Sequence, residues 1–110
     1  MEIRKAEEKD AEEIRKLLEG YPVPMGEVKK NIAAGTAYLA EREGNIVGFA
    51  DGKIQGEGKD AYGRILHFLV KKEFRGRGIA TELLEMLKKE FRNRGIERVS
   101  VECAIMGKKE

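Results

Sequence analysis

The sequence predicts an α/β (α+β) protein whose secondary-structure elements follow the order β-α-α-β-β-β-α-β. Residues 36–50 alternate between apolar and polar side chains on either side of a Gly44-Asn45 turn, a pattern typical of a half-buried β-hairpin. Residues 79–91 carry apolar side chains at helical spacing and follow a β-branched and aromatic run at residues 64–70. Strands and an amphipathic helix within one short chain indicate a sheet with helices packed on it.

The composition is that of a globular chain. Of the 110 residues, 38% are charged and 41% are apolar, which suits one domain with a single core. The 22 basic and 20 acidic residues leave a net charge of +2, which argues against nucleic acid, whose binding proteins usually carry a basic patch or stripe. No run is long enough to span a membrane, the first residues do not resemble a signal peptide, and a single cysteine permits no internal disulfide. We expect a cytoplasmic protein.

The first half of the chain is predicted as a strand followed by two helices. Residues 3–6 have strand character, and Asp10 is expected to cap the next helix, with Glu13 completing a capping box. The apolar stripe of this helix ends before Gly20. A stiff proline-containing connector then leads to a second short helix over residues 26–34.

The second half is predicted as four strands interrupted by one long helix. The strands are expected at residues 36–41, 46–50, 64–70 and 96–103, and the helix at residues 78–94. Residues 51–63 contain four glycines among many charges, so we interpret them as a continuation of the preceding strand and a mobile hairpin loop. The apolar stripe of the long helix is interpreted as core.

The strongest functional pattern is the passage from strand to helix after Val70. It contains Arg75-Gly76-Arg77-Gly78, whose glycines allow the backbone to approach a ligand closely. The first turn of a helix has unpaired N–H groups and the positive end of the helix dipole, which suits a phosphate or pyrophosphate. The two arginines add positive charge, so the sequence predicts an anion-binding strand–loop–helix.

Two common phosphate loops do not fit this passage. A Walker loop requires Gly-Lys-Ser/Thr, whereas Gly78 is followed by Ile79 and Ala80. A dinucleotide fingerprint requires a third small residue where Thr81 stands. The pattern Arg75-x-x-Gly78-x-Ala80 instead resembles the Arg/Gln-x-x-Gly-x-Gly/Ala signature of the GCN5-related N-acetyltransferase (GNAT) superfamily.

The resemblance extends over almost the whole chain. Asp10-Ala11 at the start of the first helix and the run Ile46-Val47-Gly48-Phe49-Ala50 after a turn are also similar to that family. It implies a mixed, mostly antiparallel β-sheet flanked by helices, with acetyl-CoA (CoA) as cosubstrate and no metal. The region between the first two helices would form one lip of the acceptor site, where Tyr21 and Met25 lie.

The resemblance also implies which backbone groups hold acetyl-CoA. The pyrophosphate would be held by amides of the loop and the first helical turn, with Arg75 beside them: Gly76, Arg77, Gly78, Ile79, Ala80 and Thr81. Strands four and five of the family diverge, and the pantetheine arm lies between them. Backbone groups of Phe68, Leu69 and Val70 would therefore pair with the pantetheine and hold the thioester carbonyl.

Two residues are candidate general bases for the acceptor amine. Glu102 lies on strand five where family members with a similar strand carry a base, although a strand glutamate that faces solvent is the alternative. His67, the single histidine, lies on strand four where relatives often have an acidic residue, and its ordinary pKa suits this role. The alternative for His67 is a packed core residue. Cys103 is interpreted as core.

The chain departs from the family after strand five. Family members usually continue with a further helix, whose tyrosine protonates the departing thiolate, and two more strands, whereas here no tyrosine follows Tyr62. We therefore expect a single acetyltransferase-like domain over residues 1–110 that lacks these elements. An exposed strand-five edge favours a homodimer. Tyr21 or Tyr38 of a second copy could then supply the missing proton donor.

Three functions are compatible with these patterns. The first is transfer of acetyl from acetyl-CoA to a primary amine, on a small molecule or a peptide, by direct attack. The second is a non-catalytic acetyl-CoA-binding module, a sensor or subunit, which would need the loop but neither candidate base. The third is an adaptor that binds polyanions through a basic patch of Lys71, Lys72, Arg75 and Arg77.

Overall fold

The fold is built on one five-stranded β-sheet with the strand order β1-β2-β3-β4-β5. In the computed structural model, which describes residues 1–101, the strands are β1 (Glu2–Lys5), β2 (Ala37–Arg42), β3 (Asn45–Gln55), β4 (Tyr62–Val70) and β5 (Val99–Val101). The α-helices are α1 (Ala11–Leu17), α2 (Met25–Ala34) and α3 (Ile79–Asn93). Strands β1 to β4 pair antiparallel, and β5 pairs parallel with β4. The predicted mixed, mostly antiparallel sheet and the order of its elements are confirmed.

The helices cover the two faces of the sheet. Helices α1 and α2 pack on one face, where Ile14 and Val28 contact the strand residues Leu39 and Phe49. Helix α3 packs on the other face through the apolar stripe predicted as core, which comprises Ile79, Leu83, Leu87 and Phe91. Because side chains alternate between the two faces along a strand, each core cluster receives every second residue of the central strands.

The start of α1 differs from the prediction. Asp10 does not form a capping box with Glu13 but accepts two hydrogen bonds from Arg4, at 2.9 and 3.0 Å. Its Oδ2 also accepts the N–H of Glu7 at 2.8 Å. Glu13 accepts the backbone N–H of Ile46 at 2.9 Å instead. The guanidinium provides two charge-assisted hydrogen bonds, and these hold Asp10 against β1.

Residues 51–63 form more regular structure than a loop. Strand β3 continues to Gln55 and β4 begins at Tyr62, so the connection is limited to residues 56–61. Gly63 is needed for packing, because a Cβ at this position would lie 2.6 Å from Cδ2 of Phe91. The glycine allows α3 to lie close to the sheet.

An extra residue interrupts the pairing between β3 and β4. Asp51 pairs with His67, whereas the next residue, Gly52, pairs with Ile65, so Leu66 has no partner in the register. Such a β-bulge bends a strand and increases its twist. Within residues 1–101, β5 pairs with the segment Gly63 to Ile65 of β4, which precedes the bulge.

None of the helices in the described part of the chain is both long and apolar enough to cross a lipid bilayer.

Candidate functional site

The predicted anion-binding loop joins the end of β4 to the start of α3. Gly76 and Gly78 adopt φ angles of 77° and 83°, in the left-handed region that favours glycine. Gly78 is the N-cap of α3 and has no side chain with which to cap the helix. The first N–H groups of α3 therefore have no partner within the helix. Residues 75–78 are exposed, so a ligand can reach these amides.

Three arginines surround this loop. Nε of Arg75 donates a hydrogen bond to the carbonyl oxygen of Val70 at 2.9 Å, which holds the start of the loop against the end of β4. The guanidinium of Arg77 lies 5.2 Å from the ring centroid of Phe74. Arg42, at the end of β2, lies 5.6 Å from the same centroid. Arg75 and Arg77 were predicted here, whereas only the folded structure places Arg42 beside them.

The edge of β4 beyond the bulge presents backbone groups of alternate residues. The N–H of Lys71 donates to the carbonyl of Val47 at 2.8 Å, so residues 67, 69 and 71 direct their backbone groups towards β3. Phe68 and Val70 direct theirs to the opposite edge, in agreement with the contact between Val70 and Arg75. Leu69, which was predicted to contact the pantetheine with them, lies opposite Phe49 and directs its backbone groups to β3.

His67 is buried beneath α2 in a polar environment. Its Nδ1 lies 2.8 Å from Oδ1 of Asp51, a fully buried carboxylate. The other oxygen of Asp51 accepts a hydrogen bond from Nδ2 of Asn31 at 2.9 Å. On the far side of the ring, Nε2 lies 3.6 Å from Oε1 of Glu27. His67 is therefore a core residue by burial, but its two nitrogens face carboxylates.

These surroundings change the proton affinity of the imidazole. Burial is the largest influence and lowers the pKa of His67, but the hydrogen bond to Asp51 and the charges of Asp51 and Glu27 together outweigh it. The net effect raises the pKa above the ordinary value for histidine. The pair with Asp51 therefore stabilises the imidazolium form.

Asp51, Asn31 and Glu27 were not identified from the sequence. Asp51 is the acidic residue of an otherwise apolar and small-residue run, and the alternation of β3 places it on the same face as the core residue Phe49. Glu27 and Asn31 are one helical turn apart beside the apolar Val28. A polar residue at a position where alternation predicts a core residue, such as Asp51, was therefore the sequence signal for this hydrogen-bond network.

The other predicted residues are placed as follows. Glu102 and Cys103 lie outside the described residues. The hydroxyl of Tyr38 donates to Oε1 of Glu90 at 3.2 Å, and burial, with the charge of Glu90, raises its pKa to about 12. Tyr38 is thus held in the core against α3, which does not support its suggested role as a proton donor to a second copy. Tyr21 packs at the edge of the α1–α2 core cluster.

An open cleft of about 510 Å³ lies between α1 and α2. Met25, one of the two predicted lip residues, lines it together with Ile32 and several charged side chains. No candidate base or cofactor residue contributes to its lining. Among residues 1–101, no group of three or more His, Cys, Asp or Glu side chains is placed to hold a metal ion.

Comparison with known families gives one match. The sequence profile of the acetyltransferase (GNAT) family matches residues 2–106. A sequence search of curated proteins gave no significant match.

Several solved structures are similar in fold. A ribosomal-protein-alanine N-acetyltransferase from Brucella melitensis biovar Abortus 2308 has a TM-score of 0.74 and 24% identity, over 93% of this chain and 80% of that chain. A predicted acetyltransferase from Clostridium acetobutylicum, crystallised with acetyl-CoA, has a TM-score of 0.75 and 21% identity, over 97% and 83%. An aminoglycoside antibiotic 6'-N-acetyltransferase from Acinetobacter haemolyticus has a TM-score of 0.79 and 17% identity, over 97% and 82%.

Proposed function

Because the chain belongs to the acetyltransferase (GNAT) family, we propose that it transfers the acetyl group of acetyl-CoA to a primary amine by direct attack of the amine on the thioester. The observation that carries this proposal is the exposed loop at residues 75–78, which ends at the uncapped start of α3. The acceptor is an amine on a small molecule or a peptide. The aminoglycoside and ribosomal-protein enzymes of similar fold are named for acceptors of these two kinds.

The loop fits the pyrophosphate of acetyl-CoA by the chemistry of its donors. The proposed donors are the backbone amides from Gly76 through Thr81, with Arg75 and Arg77 supplying positive charge. At the neighbouring edge of β4, Phe68 and Val70 are proposed to pair with the pantetheine and hold the thioester carbonyl. Attack by the amine places negative charge on that carbonyl oxygen, and N–H donors already aimed at it would stabilise this charge.

The attacking amine must also lose a proton. Glu102, which the sequence predicts on strand five, and His67 on β4 are both proposed as bases. The geometry of His67 supports its assignment, since the imidazole is held by Asp51 at 2.8 Å. A base held in this way accelerates proton transfer by about 10²–10⁴-fold in typical enzymes.

The cofactor site is tested by a pair of matched glycine variants. Gly78 and Gly95 stand at opposite ends of α3 and have φ angles of 83° and 84°, and a Cβ added at either position would have no neighbouring atom within 4 Å. Gly78→Glu and Gly95→Glu should therefore suffer similar backbone strain, of about 1–2 kcal/mol. Only Gly78→Glu places a carboxylate at the proposed pyrophosphate site.

Calorimetric titration with acetyl-CoA and CoA should show binding by the wild type and by Gly95→Glu, and at least tenfold weaker binding by Gly78→Glu. Equal weakening in both variants would contradict the site, and an absence of binding by the wild type would contradict the proposed function. Salt-sensitive binding of polyanions without preference for CoA would support the adaptor instead.

Turnover separates an enzyme from a binding module. Thiol release from acetyl-CoA is followed with a panel of primary amines, for the wild type, Glu102→Gln and His67→Gln. Release that depends on either side chain supports acetyl transfer. Tight acetyl-CoA binding without release from any amine would support the sensor or subunit.

We also propose a homodimer joined at β5 and a cytoplasmic location. Strand β5 is the last strand of the described sheet, and Val101 on it is 49% exposed. An open strand edge favours pairing with a second chain. Sedimentation equilibrium should then give twice the monomer mass, and Val101→Lys should lower that mass.

A further inference from the structure

A chain of buried polar side chains connects α2 to the sheet. Asn31 donates to Asp51, and Asp51 contacts His67, at 2.9 and 2.8 Å. The relative exposures of Asn31, Asp51 and His67 are 4%, 0% and 6%. Burying three polar side chains together costs stability unless each is hydrogen-bonded, and here each has a partner. Their orientations are therefore strongly restrained.

The contacts select one tautomer of the imidazole. An ionised Asp51 can only accept hydrogen bonds, so the facing Nδ1 of His67 must carry hydrogen. In neutral His67 the lone pair is then on Nε2. Asn31 holds the second oxygen of Asp51, which prevents the carboxylate from turning away. In Ser-His-Asp hydrolases the same arrangement lets Nε2 take a proton from the nucleophile and return it to the leaving group.

The placement of His67 suits the proposed reaction. His67 precedes Phe68 by one residue, about 3.4 Å along the strand, and Phe68 directs its backbone to the proposed thioester edge. Helix α3 covers one face of β4, where Phe68 and Val70 pack. The opposite face of β4, on which His67 lies, is covered by α1 and α2. An acceptor that reaches the imidazole must therefore enter between these helices and the sheet.

The second nitrogen faces a partly exposed carboxylate. Nε2 lies 3.6 Å from Glu27, whose side chain is 35% exposed, whereas the His67 side chain is 7% exposed. The Glu27 carboxylate thus lies between the imidazole and the protein surface. Within residues 1–101, the charged groups that face the ring are Asp51 from β3 and Glu27 from α2.

We propose that Asp51 is a positioning residue that holds His67 so that Nε2 both accepts the proton of the attacking amine and returns it to the leaving thiolate. This inference rests on the proposed acetyl transfer. In the step, the amine nitrogen forms a bond to the carbonyl carbon, the carbon–sulfur bond breaks, and its electron pair stays on sulfur. The proton passes from nitrogen to Nε2 and then to sulfur, so neither a separate acid nor a tyrosine is required.

The orientation can be measured without turnover. His67 is the single histidine of the chain, so an untagged ¹⁵N-labelled protein gives one set of imidazole resonances. We expect the neutral ring to carry its hydrogen on Nδ1 and to titrate above the ordinary pKa of about 6.5. In Asp51→Asn the amide can donate to Nδ1, so we expect the hydrogen to move to Nε2 and the titration midpoint to fall.

Measurements of turnover then test whether Asp51 positions His67 for catalysis. Asp51→Asn should lower kcat by about 10²-fold or more with unchanged acetyl-CoA affinity. The acid limb of its pH profile should move to lower pH together with the titration midpoint. Thr36→Val is the matched control, because the Thr36 hydroxyl bonds the carbonyls of Asn31 and Gly52 in the same buried layer without touching the imidazole. It should change neither the tautomer nor the pH profile.

Three results would overturn the proposal. One is an Nε2–H tautomer of neutral His67 in the wild type. This measurement does not depend on whether any variant folds. Another is equal loss of kcat in Asp51→Asn and Thr36→Val without movement of the acid limb, which indicates a structural role. The third is wild-type turnover by His67→Gln while Glu102→Gln is inactive. If the wild type neither binds acetyl-CoA nor releases thiol, the proposed function fails, whatever the tautomer.

Discussion

The imidazole of His67 binds a proton more tightly in the folded protein than in the unfolded chain, because it lies between Asp51 and Glu27. Its pKa in the folded state is raised. Stability from this group is therefore fully present below the unfolded pKa of about 6.5 and is lost as the pH rises through the folded pKa. We expect the free energy of unfolding, measured in urea at a series of pH values, to decline over this window. The decline should be smaller in His67→Gln, and an equal decline in that variant would contradict the pairing.

Gly63 is a second residue whose effect can be predicted. A Cβ there would lie 2.6 Å from Cδ2 of Phe91, so Gly63→Ala should lower the free energy of unfolding by about 1–3 kcal/mol. Gly26→Ala is the control, since Gly26 lies in α2 with no atom near a Cβ. It should raise stability by about 0.4–1 kcal/mol. Denaturant midpoints that shift in the same direction for both variants would contradict this packing argument.

At the scale of elements, Arg4 and Asp10 join β1 to the start of α1. Asp10 accepts hydrogen bonds from Arg4 and from the Glu7 N–H, and the bond from Arg4 is the main cause of its lowered pKa. Asp10→Asn should cost about 1–3 kcal/mol near neutral pH, measured by chemical unfolding. Because the folded pKa is lowered, the wild-type advantage is present above the unfolded pKa and lost as the pH falls through the folded one.

An exposed ion pair on α1 is the comparison for Arg4 and Asp10. Glu12 accepts hydrogen bonds from Arg15, but both side chains are in solvent. Glu12→Gln should leave the unfolding midpoint unchanged, since exposed ion pairs contribute little. A cost for Glu12→Gln as large as that for Asp10→Asn would mean that burial of Asp10 is not the source of its effect.

Element types were predictable, but their detailed contacts were not. The hairpin and the amphipathic helix follow from periodicity, and α2 and α3 begin and end within one residue of the prediction. The capping box failed because Asp10 has a competing partner six positions earlier, which no local pattern reveals. The bulge at Leu66 was hidden because residues 65–70 are mostly apolar, so alternation shows no break there.

The residues of the candidate site also differ in whether the sequence alone could identify them. Arg75 and the loop glycines are neighbours in sequence, so a local pattern identified them. Arg42 meets Phe74, and Asp51 meets His67, only after strands pair in a particular register. Such contacts depend on tertiary structure, and a single sequence indicates them only indirectly, through a polar residue where a core residue is expected.

At the scale of the whole molecule, ligand binding should raise the stability of the folded state. Free acetyl-CoA at about 100 times its Kd adds about 2.7 kcal/mol if it binds only the folded protein. For a domain near 100 residues, each kcal/mol raises Tm by roughly 4–8 °C. Thermal unfolding should show this shift for the wild type and Gly95→Glu but not for Gly78→Glu. A shift of the same size in Gly78→Glu would place the ligand elsewhere.

The extra residue, Leu66, divides β4 into two segments in which odd-numbered residues face opposite sides of the sheet. Before Leu66 the odd-numbered Ile65 faces α3, and after it the odd-numbered Leu69 faces α1 and α2. Loss of Leu66 would join Ile65 directly to His67 and restore simple alternation without changing the face of any later residue, so we expect the deletion variant to keep cooperative thermal unfolding. Substitutions before the bulge leave the phase after it unchanged. The part of β4 that joins β5 can therefore diverge in sequence independently of the part that carries His67.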